Sequence, residues 1–177
     1  MSALAVGDAA PGFALPDTEG AEHGPGQPAS AATVIVFTCN HCPYALAWQA
    51  RLAAAAHDYA ARDVRFLLVN PNDAERYPAD SPAAMRERVR ADGGWPFPYL
   101  HDAEQSVARA YGARTTPDVF VLDPDGRLRY RGAPDADHGN ERANAAWLRD
   151  ALDDLLAGRE VARPETEPVG CSVKWRA

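Results

Sequence analysis

Val34-Ile35-Val36-Phe37-Thr38-Cys39-Asn40-His41-Cys42-Pro43 is the stretch on which the architecture turns. Its four leading apolar residues, three of them β-branched, read as a buried strand. Two thiols two residues apart follow at once, and Pro43 stands where the first turn of a helix tolerates a missing N–H. A helix starting there offers unsatisfied amides that favour a thiolate. Cys39 is the expected attacking sulfur and Cys42 the resolving one. A zinc site ordinarily needs a second pair of soft ligands at similar spacing. With three cysteines in all, the sequence has no second Cys-x-x-Cys.

Outward from this centre, the alanine-rich run 44–62 has strong helix propensity, and residues 64–69 read as a second buried strand. Strand, helix and strand together have the length of a parallel crossover. On the N-terminal side, residues 7–32 are rich in Gly, Pro, Ala and Ser, which predicts an extended segment and then a surface loop. On the C-terminal side, Ser81-Pro82 predicts a capped helix ending near Gly93-Gly94. A short helix is expected after Asp102, with Gln105 in capping-box position and Gly112 as its stop. Residues 118–122 and 128–131, joined through Pro124-Asp125-Gly126, predict a β-hairpin. Trp147, Leu148, Ala151, Leu152, Leu155 and Leu156 form the apolar stripe of a last helix that stops at Gly158. The order predicts an α/β fold, a central mixed sheet flanked by helices on both faces, with an N-terminal extension and inserted helices. One domain is expected over residues 1–158, with a tail at 159–177 docked on it.

The length of 177 residues suits one domain, and a net charge of −7 gives no electrostatic footprint for nucleic acid. No stretch is apolar enough to span a membrane, and Met1-Ser2-Ala3-Leu4 has no basic start of the kind a signal peptide carries. Three cysteines do not make a disulfide framework, and a reducing cytoplasm suits a dithiol that must be recycled. The expected location is therefore cytoplasmic, without nucleic-acid or membrane partners. No His-x-x-x-His or dense carboxylate cluster appears, so no metal is expected. The acids Asp135, Asp137, Glu141, Asp150, Asp153 and Asp154 read as solvated faces.

Taken together, these motifs resemble the thioredoxin superfamily, in the redoxin or AhpC/TSA-like branch that also holds the TlpA and ResA oxidoreductases. Gly7-Asp8-Ala9-Ala10-Pro11-Gly12-Phe13-Ala14-Leu15 resembles that branch's N-terminal motif. Cys39 to Cys42 resembles its redox centre, and Thr116-Pro117 ahead of a strand resembles its cis-proline loop. Phe37 to Tyr44, with Gly170-Cys171-Ser172-Val173-Lys174-Trp175, is similar to a bacterial subgroup known simply as thioredoxin family proteins.

The resemblance implies a thioredoxin-like fold and a thiol-disulfide oxidoreductase with no cofactor beyond its own redox-active disulfide. Its partners would be protein or low-molecular-weight thiols and disulfides and a cellular reductant, and the chain itself a monomer or weak homodimer. Cys39 would attack a partner disulfide, and Cys42 would release the mixed disulfide by closing the internal bond. His41, in a slot that holds histidine in strongly oxidising relatives of the DsbA type, would tune the thiolate; the alternative is a solvated loop histidine. Thr116 and a cis Pro117 would leave backbone free to pair with a substrate peptide. Cys171 reads first as a small buried hydrophobe and second as an auxiliary thiol. The tryptophan that precedes the first cysteine in thioredoxins is Thr38 here, and the strand before the dithiol carries no acid to take the resolving thiol's proton.

Two other functions fit the composition. A thiol-dependent peroxidase, a peroxiredoxin-like antioxidant, would need a threonine three residues before its reactive cysteine, and Val36 occupies that place. A metal-binding or adaptor module would use Cys39, His41, Cys42 and Cys171 as ligands.

Overall fold

The computed structural model describes residues 4–26 and 29–177; Met1 to Ala3 of the N-terminal stretch, and Gln27-Pro28, lie outside it. A five-stranded sheet runs through the molecule in the order β5-β4-β3-β7-β8. Strands β3 (Ala32–Phe37), β4 (Val64–Asn70) and β5 (Tyr99–His101) are parallel, while β7 (Asp118–Leu122) and β8 (Leu128–Gly132) are antiparallel. β3 is central and buried at every position, which is why its sequence is a continuous apolar run instead of an alternation.

Side chains of β3 part to the two faces with a period of two. Val34 and Val36 join the core under helices α1 (Pro43–Tyr59), α2 (Pro82–Ala91) and α4 (Ala146–Leu156). Ile35 and Phe37 meet Val107, Ala108 and Tyr111 of α3 (Ser106–Tyr111) on the other face, closed by the N-terminal segment through Leu4 and Phe13. The mixed sheet with helices on both faces is thus the fold expected. A β3-α1-β4 crossover places the Cys-x-x-Cys loop at the carboxyl end of the central strand. Among the described residues, no helix is long and apolar enough to cross a membrane.

Several local expectations are corrected. The N-terminal segment contains a two-residue hairpin, β1 (Leu15–Pro16) with β2 (Glu22–His23), and β5 escapes prediction because three residues are too few to show periodicity. Gln105 makes no capping box: its backbone is left-handed (φ 61°), and its amide donates to the carbonyls of Pro71 and Lys174. Asp102 serves α3 instead, accepting from Ala108 N–H at 2.8 Å. Asp135 is not on a solvated face. It lies buried between Trp48 Nε1 (2.9 Å), a two-pronged contact from Arg51 Nη1 (3.0 and 3.1 Å) and the Ala145 amide (2.9 Å). That network ties α1 to the loop before α4.

The tail does more than dock. Residues 164–166 run along the open edge of β8, where Arg131 and Thr166 amides donate to the carbonyls of Pro164 and Arg131. It then reaches the dithiol and adds β9 (Cys171–Ser172) antiparallel to β6 (Thr115–Thr116). Val173 is buried, and Arg109 stacks over Trp175 at 4.3 Å from the ring centroid.

Candidate active site

Cys42 occupies the N-cap of α1 and Cys39 the loop three residues ahead. Both are fully buried, and with Ala45, Tyr44 and Cys171 they form one small cluster. All three thiols are free. The Thr116–Pro117 bond is cis. It brings Thr116 onto the pair: its hydroxyl lies 3.4 Å from Cys39 Sγ, and its carbonyl accepts from Cys42 Sγ–H at 3.1 Å. Residues 77 positions apart in sequence thereby become one site.

The loop between the cysteines is held from the inserted segment 71–91. Asp80, fully buried in the short 3-10 turn Pro78–Asp80, accepts from the Asn40 amide at 2.7 Å, Asn70 Nδ2 at 3.1 Å, Asn72 Nδ2 at 3.0 Å and His41 Nδ1 at 2.5 Å. Because a carboxylate only accepts, His41 carries its proton on Nδ1. The ring lies flat on Tyr77, 5.7 Å between centroids and 8° apart. Arg88 of α2 donates to the Cys39 carbonyl (3.1 Å) and to Asn40 Oδ1 (3.0 Å). Sequence reading missed Asp80, Asn70, Asn72 and Arg88. The available signal for Asp80 was its place beside the Ser81-Pro82 cap, which reads as helix approach and hides a buried acid.

The two thiols are pushed in opposite directions. Cys42 is drawn below the ordinary thiol range, first by the facing Cys39 thiol, with burial opposing, and then by the Cys171 thiol and the amides of Ala45 and Cys171. Cys39 is pushed up by the same contact with Cys42, by burial and by the Asp80 carboxylate, against the Thr116 hydroxyl and the His41 backbone N–H. The sequence-based expectation put the helix amides on Cys39. In the fold the first-turn amide faces Cys42, the N-cap residue, whereas Cys39 lies beside a carboxylate. His41 likewise reaches Cys39 through its backbone N–H, while its imidazole engages Asp80. Burial first, and then Cys42, push the Cys171 thiol up to about 11.

Cys39, His41 and Asp80 each place a potential metal ligand atom within 4.8 Å of the others. The four hydrogen bonds accepted by Asp80 already occupy its lone pairs, so a metal there would have to break buried bonds.

A family profile described as the AhpC/TSA family matches residues 6–131. The chain belongs to the AhpC/TSA family. ResA, a thiol-disulfide oxidoreductase of Geobacillus thermodenitrificans, is 28% identical over 131 residues, covering 72% of this chain and 69% of that one. The crystal structure of an uncharacterized conserved protein from Geobacillus kaustophilus superposes with a TM-score of 0.92 at 42% identity, covering 98% of this chain and 93% of that one. A hypothetical protein of Sinorhizobium meliloti 1021 matches with a TM-score of 0.92 at 37% identity, covering 99% and 97%. These last two matches take in nearly the whole chain, tail included.

Proposed function

We propose that this AhpC/TSA-family chain is a thiol-disulfide oxidoreductase that works through Cys39 and Cys42. The observation that carries the reading is two free thiols packed on each other and on a cis-proline loop at the head of α1. Cys39 loses its proton to solvent as the client enters, and the resulting thiolate is held by the His41 N–H and the Thr116 hydroxyl. It attacks one sulfur of a client disulfide and expels the other as a thiolate. Cys42 then loses its proton to solvent and attacks Cys39 Sγ, releasing the second client sulfur and closing the Cys39–Cys42 bond. Two thiols are oxidised and one client disulfide is reduced. The clients are protein or small-molecule disulfides, and a cellular dithiol reductant restores the pair. The reaction needs no organic cofactor or metal, and it suits a monomer or weak homodimer in the cytoplasm.

Insulin reduction beside a redox titration read by thiol labelling tests this. Cys39→Ser is expected to abolish reduction, and full activity in that variant would overturn the assignment. Oxidation of the reduced protein by hydrogen peroxide much faster than that of free cysteine would point instead to peroxidase chemistry, and stoichiometric zinc with inertness toward disulfides to the metal module.

A further inference from the structure

Both active-site sulfurs have no exposed surface, whereas Cys171, packed against them, is partly open to solvent. The segment that carries it lies across the cis-proline loop. Cys171 pairs in register with Thr116, and Ser172 with Thr115. This is the backbone edge to which an extended client would add. The fit is built in: a Cβ on Gly170 would come within 2.2 Å of the Thr116 carbonyl oxygen and 3.1 Å of Pro117 N, so only glycine lets the strand lie there. Beyond it the tail is anchored by Val173 N–H on Arg114 O, Lys174 N–H on Asn72 Oδ1, and Gln105 Nε2–H on Lys174 O. Asn72 also binds Asp80, which joins the tail to the Cys39 loop.

We propose that Cys171 is a third redox sulfur, tethered in the client's seat, that exchanges into the active-site disulfide and forms a Cys42–Cys171 bond. The inference rests on the dithiol reading above. Once a client disulfide has been reduced, Cys39–Cys42 is oxidised. The Cys171 sulfur attacks Cys42 Sγ, the Cys39–Cys42 bond breaks, and Cys42–Cys171 forms. Cys39 leaves as a thiolate and takes up the proton that Cys171 gives away. No electrons are gained or lost overall. With Cys42 in a disulfide, its charge no longer opposes ionisation of Cys171, so the exchange becomes easier in the state that requires it. The product carries its disulfide on a sulfur that a reductant can reach, and it locks the tail over the client edge until it is reduced.

The test oxidises the full chain with diamide, caps free thiols, digests with trypsin and maps disulfides by mass spectrometry. The wild type is expected to yield a species joining the peptide that ends at Arg51 to the one that ends at Lys174, together with capped Cys39. Cys39→Ser should lose both of its thiols to this link. Gly170→Ala, which keeps all three thiols but unseats the strand, should lose the link and still close Cys39–Cys42. Cys39→Ser that retains two free thiols, or a wild type holding only Cys39–Cys42, would overturn the inference while leaving the dithiol reading intact. Failure of the wild type to reduce insulin would defeat that reading instead.

Discussion

Asp80 adds to the electrostatics of Cys39, after the Cys42 contact and burial, from a position that no thiol-centred motif would single out. Its charge raises Cys39, and His41 Nδ1–H answers that charge directly. Asp80→Asn keeps an acceptor in place and removes the charge. The Cys39 thiolate, followed by ultraviolet absorbance across pH, should then appear at lower pH. His41→Ala, which leaves the carboxylate unanswered, should move it the other way. If neither variant shifts the titration, Asp80 only shapes the loop. The Cys-x-x-Cys spacing was legible because both thiols belong to one turn of chain. The carboxylate comes from another element and leaves no trace in local spacing.

At the scale of elements, two buried acids show how strands and helices are tied. Asp135 compensates Arg51 inside the junction between α1 and the loop before α4. Asp135→Ala strands a buried guanidinium, and a loss of about 3–5 kcal/mol is expected in denaturant unfolding. Asp118, at the head of β7, is different: burial pushes its carboxyl up to about 6, against the Arg114 amide and nearby arginines, and its Oδ1 has no partner. The folded state therefore holds this proton more tightly than the unfolded one. Its contribution is fully present below the unfolded value near 3.8 and is lost as pH rises through about 6. The ionised form costs up to about 3 kcal/mol above that window. Asp118→Asn should flatten the pH dependence between these values and stabilise the protein at neutral pH. An unchanged profile would show that Asp118 does not titrate there. The amphipathic stripe of α4 and the apolar run of β3 were readable from periodicity, whereas Asp135 read as solvated because its neighbours in sequence are polar and its partners are on α1.

Over the whole molecule, the tail closes the site. Among the bonds that hold it down, three join it to the Arg114 loop and the 72–73 turn: from Val173 N to Arg114 O, from Lys174 N to Asn72 Oδ1, and from Asp73 N onto Lys174 O. At about 1 kcal/mol each they amount to ~3 kcal/mol, so a chain ending at Glu167 should expose the dithiol and raise its alkylation rate roughly a hundredfold. No change in rate would mean that access comes from elsewhere. By itself the sequence determined the β3-α1-β4 unit, the dithiol at its head, the hairpin of β7 and β8 and the last helix. Each of these rests on propensity, period or spacing within a few residues. Only the tertiary structure decided that Thr116, Asp80 and Cys171 converge on that dithiol, and that the tail takes the edge beside the cis-proline. Such contacts are set by how the sheet orders its strands and where the inserted segment and tail pack, and a local pattern cannot encode a neighbour dozens of residues away.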